Sequence, residues 1–513
     1  MQSLWLGVTG SIGWIIGASF SVLTIVVVVR ALTRPNRAAS ARVAWVSVLV
    51  FLPVLGVISY FFLGETSIGR ARARRMREAE AALPLPSGEE AALATASPQA
   101  QQVLRLTASI NGLGALHGNT IDLQRDEAAA GAALVADIDA ATRSVHINFY
   151  IWLDDHDGAL VAAAVARAAA RGVHCRILVD ALGSRAFLKS APYAAMIDAG
   201  AHCVAALGDL LRWGRLAVGR PDLRNHRKIV VIDDEVAYMG SQNCASPSFS
   251  PKPNFAPWVD VFFRVTGPLV TQHQWLFLSA WLTEVPQDGP AVGAPTLAEH
   301  AGAPGTSELD TTTQAHAGPA VAPLMLPPST EPALAAAFGT GPTVRAGAMS
   351  EAFVAMVSAA YDELIVTTPY FVPDDALLAA LCAAPRRGVE TTLIMPARND
   401  SWFVKQASHS AYDRLLKAGV RIYEYPLGLL HSKTMTVDGQ LCLVGSSNMD
   451  RRSLELNYEN NVVVADPDVT AAVRERQLEY LADSVLLDPD VSEHDSLWRR
   501  LVQNTVAMLA PLL

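Results

Sequence analysis

His431-Ser-Lys433-Thr-Met-Thr-Val-Asp438, closed by Gly445-Ser446-Ser-Asn448, is the stretch whose reading decides the fold. On an extended strand, residues two apart point to the same face. The His431 imidazole and the Lys433 ammonium therefore project side by side, with apolar Met435 and Val437 continuing the strand. Asp438 stands at an odd offset from His431 and faces the other way, where Asp438-Gly439 reads as a hairpin turn. A nucleophile or acid beside a fixed cation suits attack on a phosphate diester.

The chain carries the stretch twice. His226-Arg-Lys228-Ile-Val-Val-Ile-Asp233 is followed by Gly240-Ser241-Gln-Asn243 at a matching offset. A lone His-x-Lys carries little information, but two full copies at corresponding places are highly specific. The surroundings repeat as well. A strand at 145–152, an Ala-rich helix from Asp157 to Ala170, an Arg171-Gly172 cap and a strand at 174–180 form a βαβ unit. A strand at 364–371, a helix from Asp374 to Ala384, an Arg387-Gly388 cap and a strand at 391–395 form another. Tyr150-Ile-Trp-Leu-Asp-Asp155 parallels Tyr370-Phe-Val-Pro-Asp-Asp375. Alternating strands and helices predict an α/β fold with parallel strands, and a repeat this long means a duplicated domain rather than a solenoid.

Composition narrows the function. The chain has 513 residues, of which 51% are hydrophobic and 17% charged. That is apolar for a soluble enzyme. The net charge of -9 argues against a general nucleic-acid binder. The five cysteines form no CxxC pair and suggest neither a disulfide framework nor a zinc site. Residues 4–29 hold no charge and are long enough to cross a bilayer core. A second uncharged run, 43–63, contains Pro53 and Gly56. Both runs are expected to be transmembrane helices, giving a multi-pass anchor over 1–65. Arg30, Arg34, Arg37 and Arg42 follow the first run, and Arg70, Arg72, Arg74, Arg75 and Arg77 follow the second. In a two-span hairpin these clusters lie on opposite faces, so the positive-inside rule nearly ties. The expected order continues with a basic juxtamembrane segment and helical linker (66–125), a first domain (126–284), a Gly/Pro/Ala-rich flexible linker or insertion (285–340) and a second domain (341–513).

The doubled motif resembles the signature of the phospholipase D superfamily, and within it the bacterial cardiolipin synthases. The narrower likeness rests on Leu52-Pro53-Val-Leu-Gly56, on Thr368-Pro-Tyr-Phe-Val-Pro373, and on Gly445-Ser-Ser-Asn-Met-Asp450-Arg-Arg452-Ser453-Leu-Glu-Leu-Asn457-Tyr-Glu459. The resemblance implies two phospholipase D-like βαβ sandwich domains related by a pseudo-twofold axis, preceded by the two transmembrane helices. It implies His226 as nucleophile, forming a phosphohistidine, and His431 as general acid and base; the sequence itself is symmetric. Lys228 and Lys433 would neutralise phosphate oxygens, while Ser241, Asn243, Ser446 and Asn448 bind the substrate. Asp233 and Asp438 belong to the motif, although strand parity points to structural support. Asp260 and Glu459, at matching places after each Gly-Ser-x-Asn, are candidates to orient the histidines; the family pattern pairs each with the histidine of the opposite copy. With two lysines in place no metal or other cofactor is expected. In the first copy Asp234 stands where a glycine turn is commoner.

The implied reaction is phosphatidyl transfer between two phosphatidylglycerol molecules, with membrane lipid rather than nucleic acid as partner and the catalytic domains on the cytoplasmic side of the cell membrane. A phospholipase D using water, a nucleic-acid phosphodiesterase and a catalytically dead binding module remain open to the same motifs.

Overall fold

The computed structural model describes residues 2–35, 39–66, 68–86, 88, 90–208, 220–285, 332–488 and 496–509. Its centre is one mixed sheet of fifteen strands. From one edge the first half runs His202–Ala206, His174–Asp180, Ser144–Phe149, Lys228–Ile232, Val236–Gly240, Phe262–Thr266 and Leu116–Leu123. The second half continues with Ala333–Thr340, Glu459–Ala465, Leu441–Gly445, Thr434–Val437, Glu363–Thr367, Glu390–Pro396 and Arg421–Tyr425, with Val485–Leu486 added at its edge. Read outward from the middle, the two halves are the same. The pseudo-twofold axis passes between Leu116–Leu123 and Ala333–Thr340, which pair antiparallel.

The βαβ units supply the parallel pairs, for example Ser144–Phe149 with His174–Asp180. The motif strands pair antiparallel with them, so the sheet is mixed rather than parallel throughout. Local chemistry sets the helix starts. The Asp155 carboxylate accepts the Gly158 N–H, and the Asp374 carboxylate accepts the Leu377 N–H, as N-caps do. Gly172 and Gly388 follow the two helices in the left-handed region, at φ 90° and 96°.

Two segments depart from expectation. The end of the expected linker, Ala333–Thr340, is a strand buried along its whole length. Leu116–Leu123, inside the expected helical linker, is its neighbour in the sheet. The alanines of Ala-Leu-Ala-Ala-Ala-Phe-Gly-Thr have weak strand propensity, and pairing with Glu459–Ala465 along seven residues overrides it. Residues 286–331 of the expected insertion lie outside the described residues.

The N-terminal runs also differ from a pair of spans. The first forms helix α1 (Gln2–Thr33). The second is broken into α2 (Ala39–Phe51) and α3 (Pro53–Leu63). Pro53 has no N–H and would cost about 3 kcal/mol inside a helix, so it opens α3 instead. Among the described residues no helix is long and apolar enough to cross a membrane. Helix α4 (Arg70–Ala82) then leads into the body, where buried Arg72 pairs with Glu284.

Candidate active site

The first motif strand begins at Lys228 and the second at Thr434, directly after Lys433, so each histidine sits just ahead of the sheet. In register, Phe149 lies opposite Lys228 and Thr367 opposite Thr434. This sets Tyr150 beside His226, with ring centroids 4.8 Å apart, and Tyr370 near His431, at 6.3 Å. The histidine of each half is held by the backbone of the other half. His226 N donates to Tyr458 O at 2.8 Å, and His431 N donates to Val259 O at 2.7 Å. Leu429–Leu430 pairs with Trp258–Val259 as a two-stranded ribbon, and Asn225 bridges Tyr458 in the same way.

One residue beyond each pairing partner stands a carboxylate. Glu459 Oε2 lies 2.8 Å from His226 Nδ1, and Asp260 Oδ1 lies 2.7 Å from His431 Nδ1. Each imidazole is thus oriented by the opposite half, leaving Nε2 for chemistry. Both histidines line one cavity of about 320 Å³ at the seam, together with Asn243, Asn448, Tyr150, Tyr370, Trp258, Arg224 and Arg452.

Lys228 and Lys433 are 0% and 3% exposed. Their Nζ atoms donate to the carbonyls of His226, at 2.8 Å, and His431, at 2.5 Å. The Lys228 ammonium also stands 5.5 Å from the centre of the Tyr150 ring. Burial lowers Lys228 to about 7 and Lys433 to about 8. Burial likewise pulls both imidazoles to about 4, against the opposing pull of Glu459 on His226 and of Asp260 on His431. Burial alone would raise the two carboxylates, but the neighbouring His and Lys outweigh it and both end below their usual range. The shifts of each pair agree on a neutral imidazole beside a charged carboxylate when the cavity is empty. By the same electrostatics, an anion in the cavity would favour the protonated forms of the lysines and imidazoles.

Two residues expected to bind substrate sit elsewhere, and the two motif aspartates take the supporting place that strand parity points to. Ser241 and Ser446 are fully buried and brace the carboxylates rather than facing a substrate. Ser241 Oγ donates to Asp260 at 2.5 Å, and Ser446 Oγ donates to Glu459. Asp233 and Asp438 lie at the far ends of the motif strands. Asp438 accepts the N–H groups of Tyr361, Asp362 and Glu363 at 2.8–2.9 Å. Asp233 accepts those of Thr142, Arg143 and Ser144 at 2.7–2.8 Å. Each ties a hairpin turn to the start of the neighbouring βαβ strand, and neither reaches the cavity.

Several contributors were not singled out from the sequence. Tyr370 Oη donates to Asp400 at 2.7 Å, and Lys252 Nζ meets the other Asp400 oxygen at 2.5 Å. Asn460 Oδ1 accepts the Lys228 N–H at 2.8 Å. Ser453 Oγ and Asn457 Nδ2 donate to Glu459, and Glu127 accepts the Asp260 N–H. The aligned Tyr150 and Tyr370 of the repeat were the available signal. Both follow the carboxyl end of a βαβ strand, where ligands of α/β sheets gather.

The family model described as "Cardiolipin synthase, PLD-like domain" matches residues 134–258 and 353–480. A second, "Phospholipase_D-nuclease N-terminal", matches 22–65. Cardiolipin synthase A of Yersinia pseudotuberculosis serotype O:3 (strain YPIII) is 35% identical over 98% of this chain and 99% of its own. The chain belongs to the cardiolipin synthase family. Cardiolipin synthase A of Erwinia tasmaniensis is likewise 35% identical, over 98% of each chain. At the level of fold, the crystal structure of phosphatidylserine synthase from Haemophilus influenzae Rd KW20 covers 80% of this family member and 97% of its own chain, with a TM-score of 0.53 at 14% identity.

Proposed function

We propose that this chain is a membrane-bound phosphatidyltransferase that makes cardiolipin and glycerol from two phosphatidylglycerol molecules. The observation that carries the reading is the facing pair of histidines in one cavity, each oriented through Nδ1 by a carboxylate of the opposite half.

His226 Nε2 attacks phosphorus. The bond to the glycerol oxygen breaks, and His431 delivers the proton that this oxygen needs, so a phosphohistidine forms and glycerol leaves. A hydroxyl of a second phosphatidylglycerol then gives its proton to His431 and attacks the phosphohistidine, which restores His226. Lys228, Lys433 and the amides of Asn243 and Asn448 stabilise the phosphate oxygens. Phosphoester energy is conserved, so no nucleotide or other cofactor takes part.

The cavity suits a glycerophosphate headgroup and is too small for two acyl chains. The tails remain outside, in the lipid that α1 enters as an anchor in the cell membrane. The experiment is incubation of the purified full chain with labelled phosphatidylglycerol in mixed micelles. Cardiolipin and glycerol are expected in equal amounts, with a labelled phosphatidyl group trapped on His226 after rapid quenching. Phosphatidic acid as the only lipid product would replace this reading with a hydrolase.

A further inference from the structure

The second apolar run folds back on itself. Leu49 Cα stands where a Cβ on Gly56 would meet it at 2.9 Å, and the Trp45 and Tyr60 rings meet edge-on with centroids 5.1 Å apart. Contacts between residues at steadily widening separation are the mark of two antiparallel helices. Trp45, Leu49 and Tyr60 are buried together with Ala31 of α1. At the open end, Glu65 pairs with both Arg30 and Arg34. Residues 30–34 and 65 are therefore at one level, and the corner at Leu52-Pro53 is at the other.

The catalytic body reaches both arms of this hairpin. Val43 and Val48 of α2 wall a cavity of about 560 Å³ with Leu378 and Met508 of the second half. Arg220 Nη1 donates to Leu63 O, at the end of α3, at 2.8 Å. A straight span of this run would hold its two ends about 30 Å apart. Each arm, of 13 and 11 residues, rises about 16–20 Å, the depth of roughly one leaflet of hydrocarbon. The corner is apolar and exposed: Phe51 is 80% exposed and Leu55 62%.

We propose that residues 39–63 form a re-entrant hairpin inserted into a single leaflet from the side that holds the catalytic body, so that the second apolar run does not cross the membrane. The inference rests on the membrane-bound reading above. It also resolves the arginine tie. Arg30, Arg34 and Arg42 fall on the same face as the Arg70–Arg77 cluster. The positive-inside rule then places that face, and the active site with it, in the cytoplasm.

The test uses the full chain with Ala39→Cys or Ala71→Cys, both exposed positions, in sealed right-side-out and inverted vesicles. Labelling by a membrane-impermeant maleimide is normalised to labelling after detergent. Both sites are expected to label only in inverted vesicles. Labelling of the two from opposite faces would restore two spans and overturn the hairpin, and labelling of both only in right-side-out vesicles would overturn the cytoplasmic placement. As an independent measurement, the Trp45→Cys/Tyr60→Cys pair is expected to crosslink under a mild oxidant, and its failure to do so would overturn the hairpin whatever the labels show. Release of the protein by a carbonate wash would overturn the membrane-bound reading itself.

Discussion

Around His226 the orienting group is a glutamate, and Ser446, Ser453 and Asn457 also donate to it. Around His431 it is an aspartate, which takes one hydroxyl, from Ser241. The Lys228 backbone is clasped by Asn460 of the other half, whereas the position matching Asn460 is the apolar Val261. A carboxylate already receiving three side-chain hydrogen bonds presents less negative potential to its imidazole than one receiving a single bond. The symmetric scaffold thus offers two unequal histidines. His226 faces the carboxylate whose charge is shared among more donors, which would suit the proposed nucleophile; His431 faces the less satisfied carboxylate, which would suit a group that must gain and lose a proton.

The sharpest way to break this comparison is to delete each imidazole. His226→Ala is expected to lose about 10³–10⁴-fold or more in activity and to form no covalent intermediate with any substrate. His431→Ala should lose as much on phosphatidylglycerol. With a p-nitrophenyl phosphodiester, whose leaving group needs no proton, it should still release one equivalent of nitrophenol in a burst. A burst from the His226 variant instead would exchange the roles. Next in size are the lysines. Removal of either ammonium is expected to cost about 10²–10³-fold in kcat, by analogy with loss of an oxyanion donor.

The carboxylates separate the halves more finely. Glu459→Gln and Asp260→Asn should each cost about 10–100-fold. Glu459→Gln is expected to be the worse of the two, because its amide N–H groups oppose the donors of Ser446, Ser453 and Asn457. Equal losses would mean that the extra donors do not matter. The pH profile tests both halves together. Lys228 and Lys433 titrate near 7 and 8 in the free enzyme, and only their protonated forms attract the phosphodiester. Accordingly, kcat/KM, which reports the free enzyme, should fall as pH rises through 7–8. The bound anion holds the protons, so kcat should stay level to higher pH. A kcat/KM rising across this range would refute the assignment of the lysines.

The smallest effect lies at the hairpin turns. In the second copy the turn is Asp438-Gly439, at φ 51° and 64°; in the first it is Asp233-Asp234, at φ 53° and 58°. Asp234 occupies a left-handed position that glycine adopts without penalty. Asp234→Gly is expected to raise stability by about 1 kcal/mol, measured by chemical denaturation, with activity unchanged. A destabilised variant would mean that the Asp234 side chain contributes more than its backbone costs.

What could be read from the sequence followed the local rules. The doubled His-x-Lys, the βαβ units and the turn role of Asp438 all rest on strand parity, caps and spacing. What could not be read rests on contacts between distant segments. Ala333–Thr340 looks like a linker because its alanines say little; it becomes a central strand through Leu116–Leu123 and Glu459–Ala465. Ser241 and Ser446 point at carboxylates 19 and 13 residues on, which no periodicity reveals. Pro53 was visible in the second apolar run, but a helix that tolerates proline and a corner that needs it read alike in one dimension. Trp45 and Tyr60 meeting across that corner distinguish them.

The crossed pairing has a consequence for how the chain is made. The residue that orients His226 lies 233 positions later, so a ribosome must make about two thirds of the second half before the first histidine can acquire its carboxylate. His431 emerges with its own partner, Asp260, already synthesised, yet that aspartate reaches it only across a seam that requires both halves to be folded and docked. Until then the growing chain, tethered beside its lipid substrates, remains chemically silent. Turnover begins with the last act of folding, and a fragment or a misdocked chain has no means of cleaving the membrane that holds it.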